Sequence, residues 1–183
     1  DRLLQFKQRT VYIINIGADV EFLESQHANM GVKNPSQVCK TEYGIAWVND
    51  AGVYMYDGQG IIELTRNKLK VSDTTDRPRA LNTGEIPLIG YQASKKWLII
   101  HPQSTLGDFE IEAWIYDFKT SAWFYSQEFT ADGDYKTNMV SDHTGELIYA
   151  AGTNSSNTPN IFKYRDVTAD PATNKLLLLT KDF

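Results

Sequence analysis

Two stretches about 50 residues apart share one pattern, and that repeat limits what the chain can fold into more than any other feature. Residues 89–102, IGYQASKKWLIIHP, align with residues 139–152, MVSDHTGELIYAAG: an extended run, a polar reversal, then a second apolar run. Residues 38–50, VCKTEYGIAWVND, form a looser third copy with a tighter reversal at Glu42, Tyr43 and Gly44. Each copy is followed by a segment ending on an aromatic and an acidic residue. These ends are Tyr56-Asp57 in VYMYDG, Tyr116-Asp117 in AWIYDF, and Tyr164 and Asp166 in IFKYRD, where Arg165 intervenes. A fourth segment comes next, IIELT, AWFYSQE or KLLLLT. Four short antiparallel strands recurring at about 50 residues predict blades of a β-propeller, near the kelch period and somewhat longer than WD40. The competing arrangement is an antiparallel sandwich with look-alike hairpins.

The expected fold class is all-β, with antiparallel four-stranded blades in one partial propeller over residues 1–183 and approximate blades at 1–35 (partial), 36–85, 86–135 and 136–183. Strand candidates, rich in β-branched and aromatic residues, are 10–16, 36–41, 44–49, 53–57, 61–65, 88–91, 96–101, 112–118, 122–127, 137–141, 146–150, 161–165 and 175–180. Turn chemistry separates many of them: Asn49-Asp50-Ala51-Gly52, Asp57-Gly58-Gln59-Gly60, Lys119-Thr120-Ser121, Asp132-Gly133-Asp134 and His143-Thr144-Gly145. Residues 20–26 alone have a helical flavour, over too short a span for a stable helix. Three copies and a leading fragment at 3–16 fall short of the 4 to 8 blades of a closed propeller, so the set is expected to be incomplete. The Asp1-Arg2-Leu3-Leu4 start without Met, and the end just after an apolar run, also read as a piece of a longer chain.

With 42% hydrophobic residues the chain has material for a core, and a formal charge of -5 removes the usual electrostatic case for a sequence-independent nucleic-acid binder. One cysteine, Cys39, can form neither an internal disulfide nor a thiol metal site. No run approaches the roughly 18 apolar residues of a membrane span, so no such span is expected.

His27, His101 and His143 stand apart with no partner at ligand spacing, which argues against a zinc centre. His143 reads as a solvated turn residue. Asp108, Glu110 and Glu112 alternate and would point to one face, as oxygen ligands for calcium or as a solvated acidic edge that deters strand addition. Asp132 and Asp134 flank Gly133 without the EF-hand pattern. A glycosidase would need facing carboxylates, and Ser141-Asp142-His143-Thr144-Gly145-Glu146 lacks the spacing of the Ser-x-Asp-x-Gly-x-x-Trp turn. No enzyme activity and no cofactor are expected. Trp47 and Trp97, in corresponding copies, read as core; Asp57 and Asp117 read as acceptors for the amides of the turns they open.

Taken together, YGIAWVNDAGVYMYDGQGIIELT with the lysine-bearing segment after it, IGYQASKKWLII, WIYDFKTSAWF and the closing LLLLTKDF resemble the β-propeller proteins of tailed-bacteriophage virions. These are the nozzle or hub proteins of short-tailed and related marine phages, and the resemblance spans residues 3–183. It implies a non-enzymatic structural role in a homo-oligomeric ring around the DNA exit channel, with DNA passing without specific binding. The implied partners are other tail proteins, on the adaptor or portal side and at tail fibres. The implied location is the virion, and the host cytoplasm during assembly. An acidic balance suits such a conduit, because each neutralised phosphate would strengthen retention of DNA.

Partners are expected to dock on the longer loops, 18–35, 68–87 and 152–160. Arg66, Lys68, Lys70, Arg77 and Arg79 put five of the 18 basic side chains in or just before one of them, a local positive charge suited to an acidic neighbour. The alternative function is a carbohydrate-binding module reading host surface glycans through Phe109, Tyr125 and Tyr135.

Overall fold

The computed structural model describes residues 1–66, 68, 69, 86–102, 112–126, 135–153, 156–164, 176 and 177. The chain is all-β, with four antiparallel sheets taken up in sequence order. Sheet 1 is β1 (Arg2–Phe6), β2 (Thr10–Asn15) and β3 (Phe22–Ala28); sheet 2 is β4 (Val38–Thr41), β5 (Gly44–Asn49), β6 (Gly52–Tyr56) and β7 (Ile61–Glu63). Sheet 3 is β8 (Leu88–Gln92), β9 (Trp97–His101), β10 (Ala113–Asp117) and β11 (Ala122–Ser126); sheet 4 is β12 (Tyr135–Ser141), β13 (Leu147–Thr153) and β14 (Ser156–Lys163). A two-residue strand, β15 (Leu176–Leu177), extends sheet 3 beyond β11.

The burial pattern explains why the strands of the two middle sheets are almost wholly apolar. Successive side chains on a strand point to opposite faces, and both faces of sheets 2 and 3 are covered. Trp47, Tyr54 and Tyr56 of sheet 2 meet Val11, Ile13, Leu4 and Phe6 of sheet 1. Their alternates Ala46, Val48, Val53 and Met55 meet Ile89, Leu98, Ile100, Trp114 and Tyr116 of sheet 3. Leu88, Ile99, Ala113 and Ile115, on the other face of sheet 3, meet Met139 and Leu147 of sheet 4. Three separate cores therefore join four sheets in series.

On one side the sheets converge. The first strands β4 and β12 both lie against β8, and the 3-10 turn Pro35–Gln37 that opens sheet 2 touches β8 and β12. Sheets 2 and 4 are not consecutive, so their common approach to β8 means the stack fans outward from its first strands. At Gly90 the approach is closest: an added Cβ would lie 2.5 Å from Met139 Cβ and 2.9 Å from Leu147 Cδ1, which only glycine avoids.

Several expectations change. Residues 20–26 are not helical; β3 runs through them, because Leu23 and Ser25 pair with Ile14 and Ile13 across a bulge that takes up Glu24. The supposed loop 18–35 contains β3, and the described residues of 152–160 belong to the end of β13 and to β14. Of the last apolar run, Leu176 and Leu177 are described, and they pair with sheet 3 through Ser126–Leu176 and Tyr125–Leu177. A two-sheet sandwich is not what forms. Trp47 is fully buried as expected, but Trp97 is half-buried and faces sheet 4, whereas Trp47 faces sheet 1; the two are not equivalent positions.

Candidate functional site

The first hairpin of each of sheets 2, 3 and 4 turns at the same end, and these turns are tied to one another. Lys96 Nζ bonds Glu42 Oε2 at 2.5 Å, joining sheets 3 and 2. Gln92 Nε2 donates to Glu146 Oε2 at 2.9 Å and Ser94 N to Gly145 O at 3.0 Å, joining sheets 3 and 4. The Ser141 hydroxyl also bonds the Tyr91 carbonyl. The Lys96 ammonium draws the Glu42 carboxyl below its ordinary range. Beside this pair the Tyr43 ring stacks on Phe118 at 4.2 Å.

Aspartates shape the turns as their sequence positions suggest. Asp57 Oδ1 accepts from the amides of Gln59 (2.8 Å) and Gly60 (2.9 Å), and Asp117 Oδ1 accepts from Lys119 N at 2.8 Å. Asp142 accepts from Thr144 N, Thr144 Oγ1 and Glu146 N, and from Lys163 Nζ at 2.9 Å. The Thr144 hydroxyl and then Lys163 depress the Asp142 carboxyl strongly. These are structural carboxylates already committed to the fold. His143, in the same turn, is exposed.

Of the five basic residues, the described residues include two. Arg66 is exposed and pairs with Glu63 three residues earlier at 3.4 Å. Lys68 reaches across to sheet 3, donating to Ser121 O at 3.1 Å with its ammonium 5.5 Å from the Tyr116 ring centre. Trp123 Nε1 donates to Leu64 O at 3.0 Å beside it. Lys68 thus fastens the exit of sheet 2 onto the β10–β11 hairpin, a second role for a charge expected to face a partner. Lys70, Arg77 and Arg79 lie outside the described residues.

A cleft of ≈ 440 Å³ opens at the opposite end of the sheets from the tied hairpins, between sheets 1 and 2. Its walls include Gln8 and Arg9 from the β1–β2 turn, Asn29 and Lys33 after β3, and Asn49 and Asp50 from the β5–β6 turn. Asn49 holds it together: its Nδ2 donates to Asn29 O (3.0 Å) and Gly31 O (2.9 Å), and its Oδ1 accepts from Ala51 and Gly52. Gln37, 1% exposed, accepts from the amides of Lys33 and Asn34 and donates to Val48 O. Lys33 pairs with Asp50 at 2.8 Å. With those amides consumed, the groups left to address a ligand are the Gln8 and Asn29 amides and the Arg9 guanidinium. The turn Asn49–Gly52 was legible in sequence; the reach of Asn49 and Gln37 to distant carbonyls had no sequence signal.

Glu112 is buried just before β10, so it does not stand on a solvated edge; Asp108 and Glu110 lie outside the described residues. No cluster of three or more His, Cys, Asp or Glu suited to a metal occurs among the described residues. Burial pushes the Cys39 thiol up to about 12, which suits a packing residue. Tyr125, 1% exposed in the core between sheets 2 and 3, cannot stack on a glycan. Phe109 lies outside the described residues, and Tyr135 is the first residue of β12. No helix among the described residues is long and apolar enough to cross a membrane.

What the fold defines is a serial array of antiparallel sheets whose polar turns and turn carboxylates serve the array. No protein-family model matches the chain, and no curated protein matches it.

Proposed function

We propose that the chain is a set of β-propeller blades in a non-enzymatic structural protein of a tailed-phage virion, of the nozzle or hub kind. The observation that supports this reading is the serial stacking of sheets that fan from β4, β8 and β12, the arrangement a propeller requires. The phage assignment adds the resemblance of the strand motifs to virion propellers. In that role the subunit works in a homo-oligomeric ring and docks other tail proteins through Arg66, Lys70, Arg77 and Arg79, with Lys68 anchoring the base of that segment. Co-sedimentation of the intact protein with particles from the source phage lysate is the test. Specific particle association, lost when the basic residues are reversed to Glu, is expected; absence of the protein from particles overturns the role.

The cleft between sheets 1 and 2 supports a second reading, a module that binds host surface glycans. Arg9, Gln8 and Asn29 would address sugar hydroxyls or a sugar carboxylate there. Calorimetric titration with host polysaccharides distinguishes the two: saturable binding lost in Arg9→Ala favours the glycan reading, and no heat favours the structural one.

A further inference from the structure

The walls of the cleft between sheets 1 and 2 are fixed by bonds among themselves. The β1–β2 turn is closed by Lys7 N donating to Thr10 O at 2.8 Å, and Val32 N, donating to Lys7 O at 3.0 Å, fastens it to the chain after β3. Gly31 packs so closely on that turn that an added Cβ would lie 2.0 Å from Lys7 O and 2.6 Å from Arg9 N. On the other side Asn49 holds the carbonyls of Asn29 and Gly31, and the buried Gln37 holds the amides of Lys33 and Asn34. Asn29 itself is left-handed, φ 63, a conformation that asparagine accepts more readily than most side chains. A site fixed in advance loses little affinity to ordering.

Charge and residue type narrow the ligand. Arg9, Lys33 and Asp50 line the cleft, and Lys33 is paired with Asp50 at 2.8 Å. Arg9 is left with no ion pair or hydrogen bond among the described residues. No aromatic ring stands among the described lining residues, so a neutral sugar finds no face to stack on.

The unmatched guanidinium is a planar fork that fits the two oxygens of a carboxylate. A phosphate monoester also fits a fork, but it carries nearly two charges, and the Asp50 carboxylate in the same cleft repels the second. The side-chain amides of Gln8 and Asn29 bond nothing among the described residues, and each offers donors and an acceptor, the complement of sugar hydroxyls. A volume of ≈ 440 Å³ suits a short saccharide.

We propose that the cleft binds a hexuronate residue, with Arg9 on its carboxylate, Gln8 and Asn29 on its hydroxyls, and Asp50 turning away doubly charged anions. This deepens the glycan reading and rests on it.

The test titrates the full chain with glucuronate, galacturonate, mannuronate and guluronate, as free sugars and as trisaccharides, and with the methyl ester of each. Heat and the Arg9 Nε–H resonance are followed together. Saturable binding of at least one acid is expected, weakened by salt and about tenfold or more weaker for its methyl ester and in Arg9→Ala. Glucose 6-phosphate is expected to bind more weakly than that acid and to gain affinity in Asp50→Asn. Binding of the free sugar and of the trisaccharide both support the site, and a strong preference for the trisaccharide identifies a polysaccharide as the source. Esters that bind as well as the acids, glucose 6-phosphate that binds best, or no binding of any acid overturns the proposal. The ester comparison uses the unmutated chain, so it decides even if a substitution disturbs the turn. Neutral host polysaccharide bound through Arg9 without any acid being bound overturns the hexuronate and leaves the glycan reading standing; no binding of any sugar overturns both.

Discussion

Lys96 and Glu42 are 54 residues apart in the chain and 2.5 Å apart in space, and Gln92 and Glu146 repeat the relationship at the same sequence distance of 54, 2.9 Å apart. The sequence period has become a spatial one: residues one repeat apart bond between neighbouring hairpins. Lys96→Met and Glu42→Gln should each weaken the array slightly, and a double-mutant cycle should show a coupling that fades as salt is raised. Fully additive effects in thermal unfolding at low salt would contradict the link.

Lys96 also holds a left-handed backbone, φ 64, where a side chain is strained. Lys96→Gly and Lys96→Ala lose the same ion pair but differ in backbone freedom. Glycine should be the more stable by about 1 kcal/mol in denaturant unfolding. Equal stabilities would mean that the turn relaxes around alanine.

Gly90 faces sheet 4 with no room for a Cβ. Gly90→Ala should cost about 1–3 kcal/mol through overpacking, and the same change should cost less when made in a Leu147→Ala background. A neutral Gly90→Ala, measured by urea titration, would mean that sheets 3 and 4 are not seated this closely.

Trp47 is fully buried and stacks on Tyr54 with Phe6 edge-on at 5.3 Å. Trp47→Ala should cost about 3–5 kcal/mol. The loss should be local in hydrogen exchange, greatest in sheets 1 and 2 and least in sheet 4, because each core joins only consecutive sheets. Uniform loss of protection across all four sheets would contradict serial stacking.

Glu42, Asp57 and Asp142 titrate below their ordinary values in the folded chain, drawn down first by Lys96, the Gly60 amide and the Thr144 hydroxyl respectively. On acidification the unfolded chain therefore takes up protons first. Stability is fully present above the ordinary carboxylate range and is lost as the pH falls through it toward the depressed values. Thermal midpoints should fall steadily below about pH 5, and Asp142→Asn should flatten that slope. A midpoint unchanged down to pH 3 would rule the linkage out.

Much of the fold was legible because strands buried on both faces leave apolar runs between turns with strong local chemistry. Gly44–Asn49 and its turn needed no tertiary information. β3 was not legible: Phe22–Ala28 carries Glu24, Gln26 and His27, polar residues allowed because its outer edge and one face meet solvent. β1 went unseen for the same reason, with only Leu4 and Phe6 directed inward. The pairing of β15 depends on an edge offered by β11, a relation between distant segments that no local pattern encodes. Of the candidate site, the clustering of basic residues was visible, but the fastening of Lys68 to Ser121 was not, since it crosses between sheets.

Because each of the three cores found among the described residues is shared only by neighbouring sheets, none of these cores by itself fixes how many sheets the array holds. A duplicated stretch of one period, spliced between two hairpins, would find a face ready on either side, and a deleted one would let its neighbours meet. The size of such an assembly is thus open to change by gene duplication in single steps, with no need to redesign the sheets already in place.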